Sequence, residues 1–188
     1  SIATGATHAF KASSTPVRPV APFSVVKVPI QLVANKNVTL PSDNKSHSLQ
    51  VQLFRSEDEL ARKPVNLSVK STKEARKITF LSEIDNSVQY FSVFHPTNHD
   101  PSKQYPVIFS LHGAGVEAEW MSDQYSSKEW AFLVFPTNRR PFGSDWQDWG
   151  RLDFLEVMEQ VKQRYNVDQE RFYLTGHSMG GQGVWHIG

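Results

Sequence analysis

The second half of the chain alternates continuous apolar runs with one long amphipathic segment, and this pattern restricts the fold most. The runs "PVIFSL", "AFLVFP" and "RFYL" are apolar on both alternating faces, as strands buried on two sides are. Before the last run, apolar residues recur at helical spacing: Phe154, Val157, Met158, Val161 and Tyr165. Buried strands that alternate with helices predict an α/β fold, with a mostly parallel sheet and flanking helices.

The first half of the chain has a different character and predicts two further regions. Residues 1–22 are rich in Ala, Ser, Thr and Pro and show no strand or helix period, so we expect a linker or disordered arm. Residues 23–85 contain short strand-like segments, namely "FSVVKVPIQLV", "HSLQVQLF", "VNLSVK" and "RKITFLSEI". These segments predict a small β-rich accessory module, followed by the α/β region over residues 86–188.

Composition excludes several classes of function. With 39% hydrophobic and 12% aromatic residues the chain can build a packed core. Its net charge of +1, from 20 interspersed basic and 19 acidic residues, favours neither a nucleic-acid partner nor a membrane surface. The absence of cysteine excludes disulfides, thiolate metal sites and a cysteine nucleophile. Because the sequence begins at Ser1, we expect a processed product or a fragment, with a secreted or periplasmic location favoured.

The strongest motif lies near the end of the sequence. Residues 176–180, "GHSMG", follow the predicted strand "RFYLT" and precede further glycines where a helix is expected. This strand–turn–helix context is that of a nucleophile elbow, in which a tight turn projects the hydroxyl of Ser178. Gly176 and Gly180 fit because side chains at these positions would collide with the neighbouring strand and helix.

A second motif, "LHGAG", follows the apolar run that ends at Leu111. Acyl transfer passes through a tetrahedral oxyanion that needs two aimed hydrogen-bond donors. We expect the backbone N–H groups of Met179 and Ala114 to supply them. His112 and Gly113 would then shape this loop rather than perform acid–base chemistry.

From about Tyr90 onward the chain resembles the α/β-hydrolase superfamily. The segments "YPVIFSLHGAG", "DWQDWGRLD" and "RFYLTGHSMGGQGVWHIG" are similar to esterases and peptidases of the prolyl-oligopeptidase-like group. The resemblance implies a serine hydrolase in which Ser178 attacks a small-molecule ester or a peptide and forms an acyl-enzyme. Met179 and Ala114 would form the oxyanion hole, and neither an organic cofactor nor a metal would be required. Residues 86–188 would then be part of a catalytic domain.

The triad partners that this resemblance requires are not found after Ser178. In α/β-hydrolases the acid and then the histidine follow the serine. The ten residues after Ser178 contain no carboxylate and one histidine, His186, inside a helix that leads away from the turn. We therefore expect a fragment, inactive alone, whose partner is the missing C-terminal half of the domain.

Two rival functions differ in class from a serine hydrolase. A non-catalytic binding protein could have kept the α/β-hydrolase fold and lost its triad. A phosphate-binding loop would need a lysine after the glycines around Ser178, and none is present.

The segment "FPTNRRPFGSDWQDWG" is expected at the rim of the sheet, where open α/β folds bind ligands. Trp146 and Trp149 could stack on a sugar or aromatic ring, or pack the loop. Arg139 and Arg140 could bind an acidic group, or remain solvated. Three carboxylates in and after this segment are expected to cap the helix or bond within the loop: Asp145, Asp148 and Asp153.

The pair His95 and His99, in "HPTNH", has a spacing that some zinc sites use. Pro96 prevents a continuous helix through the pair, and no carboxylate lies between the two histidines. The segment therefore predicts a turn and no metal site.

Overall fold

The computed structural model describes residues 1–36, 38, 46–71, 73–139 and 145–188. The chain divides into two compact units, Ser1–Val69 and Lys70–Gly188. Within these described ranges, no helix has both the length and the apolar character needed to cross a bilayer.

The first unit contains a four-stranded antiparallel sheet in the order β2-β1-β3-β4. Two long strands form a hairpin, and two strands of three residues extend it at one edge. The strands are β1 (Ile2–Thr4), β2 (Ser13–Thr15), β3 (Ser46–Arg55) and β4 (Asp58–Ser68). The predicted segments "HSLQVQLF" and "VNLSVK" thus lie largely within β3 and β4.

The structure corrects three expectations for this half of the chain. Residues 1–22 are not simply a linker, because β1 pairs with β3 through Ile2 and Leu53. The segment 23–33 forms no strand, and Pro29 within it has no N–H to contribute to a ladder. The predicted boundary at residue 85 also differs from the division after Val69, because β5 (Arg76–Leu81) pairs with a strand of the second unit.

The second unit has a five-stranded sheet in the order β5-β6-β8-β7-β9. After β5 its elements are β6 (Val88–Phe94), β7 (Tyr105–Leu111), α1 (Ala118–Ser122), β8 (Phe132–Pro136), α2 (Asp148–Arg164), β9 (Val167–Gly176) and α3 (Met179–Ile187). Strand β7 is parallel to both β8 and β9, whereas β5, β6 and β8 are joined by antiparallel pairings. The sheet is therefore mixed, and the expected mostly parallel sheet applies only to β8, β7 and β9.

Both faces of this sheet are covered, as the apolar runs predict. Successive side chains of a strand point to opposite faces, so Phe109 packs with α2 and α3 residues while Ile108 packs on the other side. The predicted stripe on α2 is confirmed, since Phe154, Val157 and Val161 are buried against the sheet.

The parallel strands decide where chemistry can occur. Because β7, β8 and β9 run in the same direction, their carboxyl ends lie at one edge of the sheet. The loops after these strands begin at His112, Thr137 and His177. The two motifs recognised in the sequence therefore meet at this edge.

Candidate active site

Ser178 occupies a strained turn between β9 and α3. Its φ of 55° and ψ of −117° are unfavourable for a residue with a side chain, at a cost of about 1–3 kcal/mol. Two backbone hydrogen bonds hold the turn: His177 N–H donates to Leu111 O at 3.2 Å, and Gly180 N–H donates to His177 O at 2.8 Å. Ser178 is exposed, so this geometry presents its hydroxyl at the surface of the sheet edge.

The flanking glycines allow backbone segments to approach each other closely. A Cβ atom on Gly176 would overlap the carbonyl of Gly180, and one on Gly180 would overlap the carbonyl of Leu111. No flexible side chain is available to move away, because all of the nearest atoms belong to the backbone. These two positions therefore require glycine for the elbow to pack on the end of β7.

The loop after β7 lies directly against the Ser178 turn. A Cβ atom built on Gly113 would be 3.3 Å from His177 O and 3.4 Å from Ser178 Cβ. Ala114 follows and is exposed, and Gly115 has a φ of 73° that turns the chain away. The structure thus brings together the two segments that were predicted separately.

The backbone amide of Met179 begins α3 immediately after Ser178. The first N–H groups of a helix have no acceptor within the helix and carry its partial positive charge. This end of α3 therefore suits negative charge that develops beside the Ser178 hydroxyl.

His112 is fully buried between the two loops. Its Nε2 lies 3.1 Å from Thr137 O, and its Nδ1 lies 2.9 Å from Gly113 O. Carbonyl oxygens only accept, so both ring nitrogens face groups that need a hydrogen. A neutral imidazole carries one N–H and donates to one of these carbonyls at a time, while both nitrogens are directed at backbone oxygens. The ring is therefore suited to holding the loop and not to taking a proton from Ser178.

The prediction that Trp146 lines a substrate rim was wrong, because its side chain is only 1% exposed. Its indole N–H donates to His112 O at 3.1 Å, and its ring meets the edge of the His112 ring at 5.1 Å. A Cβ atom on Gly183 of α3 would lie 2.6 Å from Trp146 Cγ. Trp146 therefore packs between α3 and the loop after β7, as the alternative for these aromatics proposed.

Trp149 differs from Trp146 because it remains 43% exposed. The guanidinium of Arg139 lies 5.2 Å from the centre of its ring, within the range of a cation–π contact. Stacking of a substrate ring on Trp149 stays a prediction.

Arg139 is neither solvated nor free to bind an acidic substrate. Its side chain is 5% exposed and forms ion pairs with Glu156 at 2.7 Å and Asp85 at 2.9 Å. It also donates to the hydroxyl of Ser82. Both alternatives considered for Arg139 are therefore wrong, and Arg140 lies outside the described residues.

A buried carboxylate near the site was expected only to cap the helix or bond within the loop. Asp153 is 0% exposed, and its Oδ2 accepts hydrogen bonds from Asn138 N–H at 2.8 Å and Thr137 Oγ1 at 3.5 Å. Its Oδ1 has no hydrogen-bond partner within the described ranges. Burial raises the pKa of Asp153 to about 7, partly offset by the hydrogen bond from Asn138. The sequence pattern that could have predicted this burial is the spacing of Asp153, which lies four residues before Val157 on the buried stripe of α2.

His95 and His99 form a turn, as predicted. His99 N–H donates to Pro96 O at 3.1 Å, and the two imidazole rings lie 5.3 Å apart against the ring of Phe132. Burial lowers the pKa of His95 to about 4. Within the ranges that the structure describes, no three His, Asp or Glu side chains are grouped as a metal site would need.

His186 is far from the Ser178 hydroxyl along α3. Eight residues separate the two positions, which corresponds to about 12 Å of helix axis. His186 is exposed in the last turn of the helix. Among the side chains in the described part of the chain, none forms a hydrogen bond with the Ser178 hydroxyl.

Comparison with known proteins finds relatives in sequence and in fold. No family model matches the chain. It is 28% identical over 81% of its length to an uncharacterized secreted protein of Arthroderma benhamiae. It is 31% identical over 50% of its length to a bifunctional acetylxylan esterase/xylanase of Neocallimastix patriciarum, and 33% identical over 47% to dipeptidyl-peptidase 5 of Aspergillus fumigatus. The chain spans only 18%, 15% and 15% of these three relatives.

The fold is shared with a solved esterase. A ferulic acid esterase from Anaeromyces mucronatus, crystallised with ferulic acid, superposes with a TM-score of 0.52 at 22% identity, covering 62% of this chain and 53% of that one. The chain thus has the fold of the α/β-hydrolases. The predicted resemblance to their esterase and prolyl-oligopeptidase-like group is confirmed.

Proposed function

We propose that this chain carries the nucleophile and oxyanion hole of a serine hydrolase, with Ser178 as the attacking residue. One observation carries the proposal: an exposed serine with a φ of 55° begins a helix, and Gly113 of the predicted oxyanion loop lies against it. Strain in a non-glycine residue persists only where the surrounding structure enforces it, and such residues cluster at functional sites.

The reaction follows from these groups. The Ser178 hydroxyl attacks an acyl carbonyl while a base removes its proton, and the N–H groups of Met179 and Ala114 donate to the resulting oxyanion. Collapse of this intermediate expels an alcohol or amine and leaves an acyl-enzyme, which water then hydrolyses. Neither an organic cofactor nor a metal takes part in these steps.

The acid and base of the triad are proposed to come from outside these 188 residues. No carboxylate follows Ser178, His186 lies about two helical turns away, and both nitrogens of His112 already face carbonyl oxygens. The solved esterase is almost twice as long as the part that this chain matches. We therefore propose that this chain alone is inactive and that the remaining half of the domain completes it.

The substrate class is proposed from the relatives. One of them is named an acetylxylan esterase and another a dipeptidyl-peptidase, so a small ester and a peptide both remain candidates. We propose an ester, because ester carbonyls are the easier targets for an acyl-enzyme mechanism. The relative that matches 81% of this chain is named a secreted protein, which supports a secreted location.

A second candidate is a non-catalytic binding protein with the same fold. The observation that favours it is the Ser178 hydroxyl, which has no side-chain hydrogen bond within the described ranges. An unactivated serine would leave the sheet edge as a binding surface.

Labelling with a fluorophosphonate probe separates the two candidates. The probe is applied to this chain and to the longest encoded form of the protein, each beside its Ser178→Ala variant. We expect labelling of the longest form only, abolished by the substitution. A folded longest form that resists the probe would rule out the catalytic role and favour the binding protein. Labelling of the short chain would show that its own residues activate Ser178, with His186 the first to substitute.

A further inference from the structure

We infer that Asp153 is a positioning residue for the oxyanion loop, acting through the turn after β8 and the ring of His112. This inference rests on the proposed function, since it assigns a role to the loop that faces Ser178. No substrate atom is expected to touch Asp153, which is fully buried beneath the site. Three successive contacts connect its carboxylate to the loop.

The first contact fixes the turn after β8. Asn138 and Arg139 have φ values of 59° and 57°, so two consecutive residues with side chains adopt the left-handed conformation. The Asp153 carboxylate accepts the N–H of Asn138 at 2.8 Å from within the core. The side chain of Asn138 also donates to Asp145 O. A turn of this shape is disfavoured in an isolated chain, so these buried hydrogen bonds determine its conformation.

The second contact connects the peptide bond between Thr137 and Asn138 to His112. The carbonyl of Thr137, in the peptide bond that carries the Asn138 N–H, faces His112 Nε2 at 3.1 Å. One peptide unit thus touches the Asp153 carboxylate with its N–H and the imidazole with its C=O. A peptide unit is planar and rigid, so rotation of that unit displaces both partners together.

The third contact joins His112 to the elbow. Its Nδ1 is 2.9 Å from Gly113 O, the carbonyl of the peptide that contains the Ala114 N–H. This N–H is one of the two proposed oxyanion donors. Gly113 lies close to the nucleophile, since a Cβ atom built on Gly113 would be 3.4 Å from Ser178 Cβ. The Asp153 carboxylate therefore acts on a donor beside the nucleophile without approaching it.

The hydrogen bond from Asn138 N–H to the Asp153 carboxylate is expected to depend on pH, because Asp153 lies among other titratable groups. Arg139 favours the ionised carboxylate, Glu156 opposes it, and His112 is the titratable group of the adjoining loop. Because burial raises the pKa of Asp153 to about 7, its protonation falls in the neutral range. A protonated carboxyl accepts the Asn138 N–H less strongly than a carboxylate does.

Two substitutions and one control test this role in the longest encoded form. Asp153→Leu removes the acceptor for Asn138 N–H, whereas Asp153→Asn retains an oxygen that can accept it. Val157→Ala, on the same buried stripe of α2, lowers stability without touching the turn. The inactivation rate constant and the binding constant of a fluorophosphonate are measured separately for each variant.

Displacement of a donor by about 1 Å costs on the order of 100-fold in rate. We therefore expect Asp153→Leu to slow inactivation by about 10- to 100-fold with little change in probe binding. Asp153→Asn and Val157→Ala should remain within about threefold of the parent protein. Equal rates in Asp153→Leu and Val157→Ala would overturn the inference, and so would an equal loss in both Asp153 variants.

Amide resonances give a readout that requires no reaction. The signals of Gly113 and Ala114 should move with pH through a midpoint near 7 in the parent protein, and this step should vanish in Asp153→Asn. This measurement also serves if Asp153→Leu does not fold, and the same titration in both proteins would overturn the positioning role.

The failure of each proposal has a different signature. If Ser178 is not a nucleophile, the parent protein is unlabelled or its Ser178→Ala variant is still labelled, whatever the amide signals do. If only the role of Asp153 is wrong, labelling depends on Ser178 while the Asp153→Leu rate matches that of Val157→Ala.

Discussion

Two turns meet at the candidate site, and they are held in opposite ways. The turn at Ser178 and the turn at Asn138 both place residues with side chains at positive φ. The first is enforced by backbone packing, because Gly176 and Gly180 let strand and helix approach each other closely. The second is enforced by side chains, because the carboxylate of Asp153 binds its N–H from the core. A short motif can encode the first kind of turn, whereas the second depends on a residue fifteen positions away.

The largest expected effect tests the backbone-enforced turn. Gly180→Ala would place a Cβ against the carbonyl of Leu111, and neither backbone can move without disrupting the sheet. We expect a loss of about 3 kcal/mol in the free energy of unfolding, measured with urea, and no fluorophosphonate labelling. Gly181→Ala is the matched control, because its Cβ would meet its nearest neighbour at 3.7 Å. Alanine there should be neutral or stabilise α3 by up to about 1 kcal/mol; equal losses at 180 and 181 would contradict the packing argument.

The next effect tests the carboxylate that enforces the other turn. Asp153 has a pKa near 7 when folded and an ordinary value of 3.8 when unfolded. Between these values the folded protein keeps a proton that the unfolded chain releases, so stability falls as pH rises from about 4 to about 7 and then levels off. Asp153→Asn should remove this fall, which amounts to a few kcal/mol at most.

Urea unfolding of both proteins at pH 4.5 and pH 8 measures this difference. Asp153→Asn should gain relative to the parent protein at the higher pH. Val157→Ala provides the control, since its loss of stability should be the same at both values. A pH-independent difference for Asp153→Asn would mean that the buried carboxyl titrates at its ordinary pKa.

The smallest effect compares the two turns directly through glycine. Ser178→Gly relieves the strained φ and loses no side-chain hydrogen bond within the described ranges, so we expect a gain of about 1 kcal/mol. Asn138→Gly relieves a similar φ but loses the bond to Asp145 O, so we expect a loss of about 1 kcal/mol. Thermal unfolding of the two variants measures both. The same sign in both variants would remove the distinction between the turns.

The parts of the structure that the sequence predicts are those determined by neighbouring residues. The apolar stripe of α2 is visible because its members are three or four positions apart, and Phe154 is buried as that spacing requires. The Ser178 turn is visible because its glycines lie within two residues of the serine. Both are local patterns.

The missed features depend on contacts across long stretches of chain. Strand β1 has only three residues and is stabilised by antiparallel pairing with β3, which lies more than forty positions later in the chain. The sequence alone predicts Trp146 as an exposed aromatic residue of a loop. Its burial depends on contacts with His112 and Gly183, which are distant along the chain. The carboxylate of Asp153 interrupts a buried stripe, and only the turn at Asn138 explains its presence there.

The contact between Trp146 and Gly183 has a consequence for engineering. The Trp146 indole packs against Gly183 of α3 and donates to the carbonyl of His112 in the loop after β7, so one side chain links these two segments. Segments 111–115 and 175–188 therefore cannot be exchanged independently with those of another hydrolase. A chimera would need to retain both Trp146 and Gly183, because the indole ring packs where a side chain at position 183 would lie.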